Sequence, residues 1–186
     1  TLVKKDYVRY YISAFLISIL LTEVISFLIW FEVIEPFKNA TLENPTPFMS
    51  HISFNPILAF SIYIVLHEIL INKKLSTVEL FCYSFFSIGM TINMFITGGR
   101  AGHVIFFAMI GVLIFQVFNK QKVKAILTIA IVIPIIFMTA YQSSYLFKQR
   151  VDEAVNNVVI FPDNKDTSVG QRLSFMLNSY EVIKKN

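Results

Sequence analysis

The sequence predicts an all-α, polytopic integral membrane bundle of about five transmembrane helices, followed by the start of a large helical loop on one face of the membrane. Three observations carry that prediction. Hydrophobic residues make up 55% of the 186-residue chain and charged residues only 15%, where a soluble domain carries about 25% charged residues. The apolar residues gather into runs close to the roughly 20 residues that one helix needs to cross the hydrocarbon core. The basic residues cluster at the ends of those runs, where they report topology. The net charge of +4 is thus no signal for a nucleic-acid partner.

The first apolar run covers residues 10–31. The second covers 54–71 and is entered through Asn55-Pro56. The third, fourth and fifth cover 75–97, 102–118 and 123–141. Pro134 falls inside the fifth, as a kink of the kind tolerated within a bundle. Beyond residue 141 the chain is no longer membrane-like. Ser144–Val155 reads as an amphipathic helix, and residues 162–168 read as a polar loop containing Asp163, Asn164, Lys165 and Asp166. A second helix is expected from Ser168, with Ser168 and Gln171 at capping-box spacing. Leu173, Met176, Leu177, Tyr180 and Ile183 then form its apolar stripe. The division is therefore a transmembrane region, 1–141, and a loop region, 142–186. The chain begins with Thr1 and ends within a helical pattern at Asn186, which reads as a fragment truncated at both ends. Cys82, the single cysteine, excludes an intramolecular disulfide and leaves the redox compartment open.

Charge sets the expected orientation. Lys4, Lys5, Arg9, Lys73, Lys74, Lys120, Lys122 and Lys124 lie on one side, against Lys38 and Arg100 in the short loops opposite, a bias of eight to two. The positive-inside rule then puts Thr1 in the cytoplasm. The loop 35–53, the Arg100 turn and the tail after Tyr141 face outward, which in a bacterium is the periplasm.

Arg100 stands out against that pattern. It lies in Thr97-Gly98-Gly99-Arg100-Ala101-Gly102, between two apolar runs. The amides at a helix start attract anions, and a guanidinium adds a fixed charge and a planar fork of donors. Gly98, Gly99 and Gly102 leave room for a ligand to approach the backbone. The combination points to a phosphorylated substrate; the alternative is a snorkelling Arg in a tight turn. Arg172 is a second arginine near a helix start on the same expected side, and an exposed helical Arg is its alternative. His51, just before the second run, is at the level of the Arg100 turn and suits proton or phosphate contact, or else an interfacial ring. His103 follows the glycine turn and either lines the site or packs between helices. Glu23 lies near the middle of the first run, where a carboxylate is costly and marks a functional site unless a neighbouring helix bonds it. The three histidines are scattered, with no carboxylates at ligand spacing, so no metal is expected. No GxSxG, P-loop or Rossmann fingerprint is present either.

Ile96-Thr97-Gly98-Gly99-Arg100-Ala101-Gly102, opening an apolar helix, resembles the signature that starts the O-antigen ligase domain. Ser168-Val169-Gly170-Gln171-Arg172-Leu173-Ser174-Phe175 resembles that family's second block, a Ser-x-x-x-Arg segment early in a large periplasmic loop. Pro47-Phe48-Met49-Ser50-His51-Ile52 resembles its upstream part, so the resemblance runs from about His51 to Asn186. It implies a bacterial inner-membrane glycosyltransferase of lipopolysaccharide assembly. Such an enzyme moves a glycan from undecaprenyl diphosphate to lipid A–core, with no nucleotide sugar, cofactor or metal. By the same resemblance Arg100 and Arg172 hold the donor's diphosphate, where fixed guanidinium groups stabilise the charge that builds on the leaving group. The family's loop continues to a Gly-rich turn and a histidine taken as essential for transfer. This sequence stops before them, so the catalytic residue is expected outside it and the piece alone is expected to be inactive. His51 is not that histidine by position.

Three other readings stay open. An O-antigen or capsule polymerase and a protein O-oligosaccharyltransferase share the lipid diphosphate donor and differ in acceptor. A transporter fragment would make Glu23 and Pro134 marks of a substrate path, with its site near the membrane midplane.

Overall fold

The computed structural model describes residues 5–72, 75–160 and 166–185. Every regular element among the described residues is an α-helix. They are α1 (Lys5–Trp30), α2 (His51–Ile71), α3 (Thr77–Ile96), α4 (Arg100–Val117), α5 (Lys122–Ser143), α6 (Tyr145–Val159) and α7 (Ser168–Lys185). The first five are long and apolar enough to cross a membrane. Each coincides with an expected span to within a few residues. Residues 162–165 of the expected polar loop, 162–168, lie outside the described residues.

Local chemistry fixes the ends. α1 closes with Glu32 in the left-handed region, φ 58°. The Glu32 N–H reaches the Ile29 carbonyl at 3.0 Å, and the Val33 N–H reaches the Leu28 carbonyl at 2.8 Å. That is a Schellman stop built without glycine. α3 opens on a capping box. The Glu79 N–H donates to Ser76 Oγ at 3.2 Å, and the Ser76 N–H donates back to Glu79 Oε2 at 2.8 Å. α2 begins at His51, three residues before the apolar run, so Asn55 and Pro56 lie inside the helix and not at its entry. Pro56 costs α2 one intrahelical bond, to the carbonyl four residues back. α7 is capped one residue earlier than the sequence pattern indicated. Thr167 Oγ1 accepts the Gly170 N–H at 2.9 Å.

α2 is the central helix. Phe54, Leu58, Ala59, Ile62 and Val65 are buried along it. They pack with Met90 and Met94 of α3 and with Phe106 and Ile110 of α4. α1 lies against α3, and α5 against α4. Val78, Phe81, Phe85 and Ile88 are exposed along one stripe of α3. An apolar stripe of this kind suits hydrocarbon rather than water. The Gly98–Arg100 turn, the start of α2 and the junction of α5 with α6 meet at one end of the bundle.

Candidate functional site

Gly99 is the N-cap of α4 and offers no side-chain cap, so Arg100 is the first helical residue. The turn before it is tied down from the α1–α2 loop, where Asn44 Oδ1 accepts the Gly98 N–H at 3.0 Å. Gly99 and Gly102 lie flat against α2. A Cβ on Gly99 would be 2.8 Å from the His51 carbonyl oxygen, and one on Gly102 would be 2.8 Å from the Asn55 carbonyl carbon. The sequence argued that these glycines admit a ligand. Instead, the backbone of α2 fills that space, and the glycines let α4 and α2 approach. Asn55 braces the turn from below by accepting the Thr97 hydroxyl at 2.8 Å.

α6 reaches over this turn because two residues anchor its start. Ser144 Oγ accepts the Phe147 N–H at 3.1 Å and donates to the Phe95 carbonyl at 2.6 Å. Phe147 is 3% exposed. Its ring lies 4.9 Å from that of His103, 5.1 Å from Phe95 and 5.5 Å from Phe137. His103 therefore turns into the bundle and stacks on Phe95. Its Nε2 lies 2.9 Å from the Met94 carbonyl, and since a carbonyl only accepts, Nε2 carries the proton. His103 packs between helices, among Phe95, Phe147 and the Met94 carbonyl.

Arg150 and Glu153 follow Phe147 at three-residue steps and hang beside the Arg100 turn. Glu153 Oε2 accepts from Arg100 Nη2 at 3.0 Å and from Arg150 Nη1 at 3.0 Å. Glu153 Oε1 accepts from Gln149 Nε2 at 3.2 Å. The three charged side chains are 27–35% exposed. Even so, Arg100 Nη1 and Arg150 Nε are sealed from solvent and bond to nothing among the described residues. A Cβ on Gly98 would lie 3.3 Å from Arg150 Nε, so the bare turn seats the guanidinium.

The other expected residues divide. His51 is half-buried at the start of α2, and Arg150 is within electrostatic reach of it. Arg172 is exposed on α7 and forms no ion pair or hydrogen bond among the described residues, and it shares no bonded partner with Arg100. Glu23 is 4% exposed and sits against Gly89 of α3, away from the Arg100 turn. Arg150, Glu153 and Asn44 were not anticipated. Arg150 and Glu153 were legible only as an ordinary i,i+3 ion pair on an amphipathic helix.

Beside the charged cluster an apolar cleft of about 690 Å³ opens between α3 and α5. Ile92, Phe95, Ile96, Ile135 and Ile136 line it, and Gln149, the partner of Glu153, stands at its edge.

The fold and these side chains define a multi-pass helical membrane protein with two guanidinium groups clustered at one end, next to an apolar cleft. The profile of the O-antigen ligase family matches residues 85–186. That is more than half of the chain, and it takes in Arg100, Arg150, Glu153 and Arg172. The chain belongs to the O-antigen ligase family, a bacterial membrane family of ligase- and polymerase-type glycan transfer. The upstream resemblance at residues 47–52 falls outside the matched region. No curated protein and no solved structure matches the chain.

Proposed function

We propose that the protein transfers a glycan from undecaprenyl diphosphate to lipid A–core at the periplasmic face of the inner membrane. Arg100 and Arg172 bind the donor's diphosphate in this reading. The observation that carries it is the side-by-side arrangement of the Arg100 cluster and the apolar cleft. A polyprenyl diphosphate has the same two parts, a charged head on a hydrocarbon chain. The Arg100 guanidinium, already fixed in a partly desolvated site, stabilises the diphosphate as it leaves without reorganising. Arg172 is exposed and without a bonded partner among the described residues, so its charge is available to a bound ligand. Transport is less well supported, because the cleft and the charges lie at the bundle end while Glu23 is packed against Gly89.

The test is transfer in cells carrying the intact gene with Arg100→Ala or Arg172→Ala. Each is expected to cut glycan transfer at least about tenfold, the scale of one lost charge-assisted contact, while the protein still inserts. Wild-type transfer by both variants would end the diphosphate assignment.

A further inference from the structure

Glu153 stands where an anionic ligand of Arg100 would stand. Its Oε2 takes one bond from each of two guanidinium groups, both at 3.0 Å. Even so, the carboxylate leaves the pair under-used. Arg100 Nη1 and Arg150 Nε are sealed from solvent and have no acceptor among the described residues. A carboxylate has two oxygens, and one of these is turned to Gln149. A diphosphate diester presents four non-bridging oxygens on two phosphorus atoms and spans a greater width, which fits donors left over on both arginines. Gly98 seats the Arg150 guanidinium beside the turn, and the Tyr141 hydroxyl donates to the neighbouring Asp152 at 2.7 Å.

We propose that Glu153 is an internal counter-ion that occupies the anion site until a diphosphate displaces it, and that Arg150 is a second guanidinium on the bound diphosphate. The inference rests on the reading that Arg100 binds the donor's head group. The charge count gives the device a use. With Glu153 in place the cluster of two arginines and one glutamate carries a net single positive charge; with Glu153 turned out it carries two. A diester of diphosphoric acid carries two negative charges and matches the open state. A phosphodiester head group, with one negative charge, gains too little to replace a carboxylate that is covalently held nearby. Glu153 would thus screen the site from the ordinary phospholipids around it. Its side chain is 35% exposed and has a way out to solvent.

The experiment is calorimetric titration of the full chain in detergent with inorganic pyrophosphate and, separately, with dimethyl phosphate. Unfolding midpoints are measured alongside. Glu153→Gln is expected to bind pyrophosphate about three- to tenfold more tightly, the scale of a partly exposed ion pair made twice, and to gain affinity for dimethyl phosphate as well. Arg150→Lys, which keeps the charge but loses Nε and the fork, is expected to weaken pyrophosphate binding with its midpoint preserved. A merely structural ion pair predicts the opposite sign for Glu153→Gln, lower affinity together with a lower midpoint. Pyrophosphate binding that Arg100→Ala abolishes but Glu153→Gln and Arg150→Lys leave unchanged overturns this inference alone. No binding of pyrophosphate by the wild type or by Glu153→Gln overturns the diphosphate reading with it.

Discussion

Replacing Gly102 by alanine puts a carbon where α2 already is. The added Cβ would lie 2.8 Å from the Asn55 carbonyl carbon and 3.0 Å from its Cα. Carbon atoms prefer about 3.5–4.0 Å, so the helices must part by roughly 0.7 Å or more at this level. Asn55 has no freedom to yield by a side-chain rotation, since the clash is with its backbone. Its neighbours Phe54 and Leu58 are completely buried, so α2 is held from its other faces too. Overpacking of this kind costs about 1–3 kcal/mol, and more where backbone moves. The consequence reaches the site, because Arg100 is two residues upstream on the same helix. Its 3.0 Å contact with Glu153 moves with α4, and a shift near 1 Å in a reacting geometry costs about 10²-fold in rate. Gly111 is the internal control. It lies on the same helix, and a Cβ there meets nothing within 4 Å. Alanine is the better helix former by about 1 kcal/mol. Gly102→Ala is therefore expected to lower the unfolding midpoint in detergent and to impair glycan transfer. Gly111→Ala is expected to leave both unchanged or to raise the midpoint. A Gly102→Ala protein as stable as wild type, or a Gly111→Ala protein equally damaged, refutes the argument that Gly102 exists for helix contact.

Two further expectations concern how the bundle end is built. Phe147→Ala removes the ring that anchors α6 among Phe95, His103 and Phe137, a loss on the order of 3–5 kcal/mol for a buried phenylalanine. It should depress the unfolding midpoint and, by releasing Arg150 and Glu153, weaken pyrophosphate binding; unchanged binding would mean that α6 is positioned by something else. Glu32→Gly relieves a non-glycine residue from φ 58° at the Schellman position. A gain of up to about 1 kcal/mol in stability is expected, and a fall in the midpoint would show that the Glu32 side chain matters more than its backbone.

The spans were legible in the sequence because length and apolarity set them directly, and the backbone of a membrane helix has no other way to satisfy its bonds. Arg100 was legible for the same reason, as a charge that breaks the pattern. What lay beyond reach was set by tertiary contacts. Arg150 and Glu153 look like any surface pair until Phe147 is seen among rings from α3, α4 and α5. Gly99 and Gly102 were correctly singled out as small residues, but the object they approach is α2. His103 had two readings, and its Met94 bond and Phe95 stack select the packed one. At α7 two adjacent cap formers, Thr167 and Ser168, compete within one residue, which spacing alone does not resolve. Arg172 was paired with Arg100 by resemblance, and Arg172 is exposed while Arg100 is bonded to Glu153.

The most direct test of the account is the glycan profile of cells lacking the intact gene, with lipopolysaccharide run on a gel and undecaprenyl-linked glycan assayed in parallel. Loss of the long-chain ladder together with accumulation of polymer on undecaprenyl diphosphate is expected. A surviving core that carries a single repeat unit would contradict transfer to lipid A–core and assign the protein to polymerisation, and an unchanged profile would contradict both.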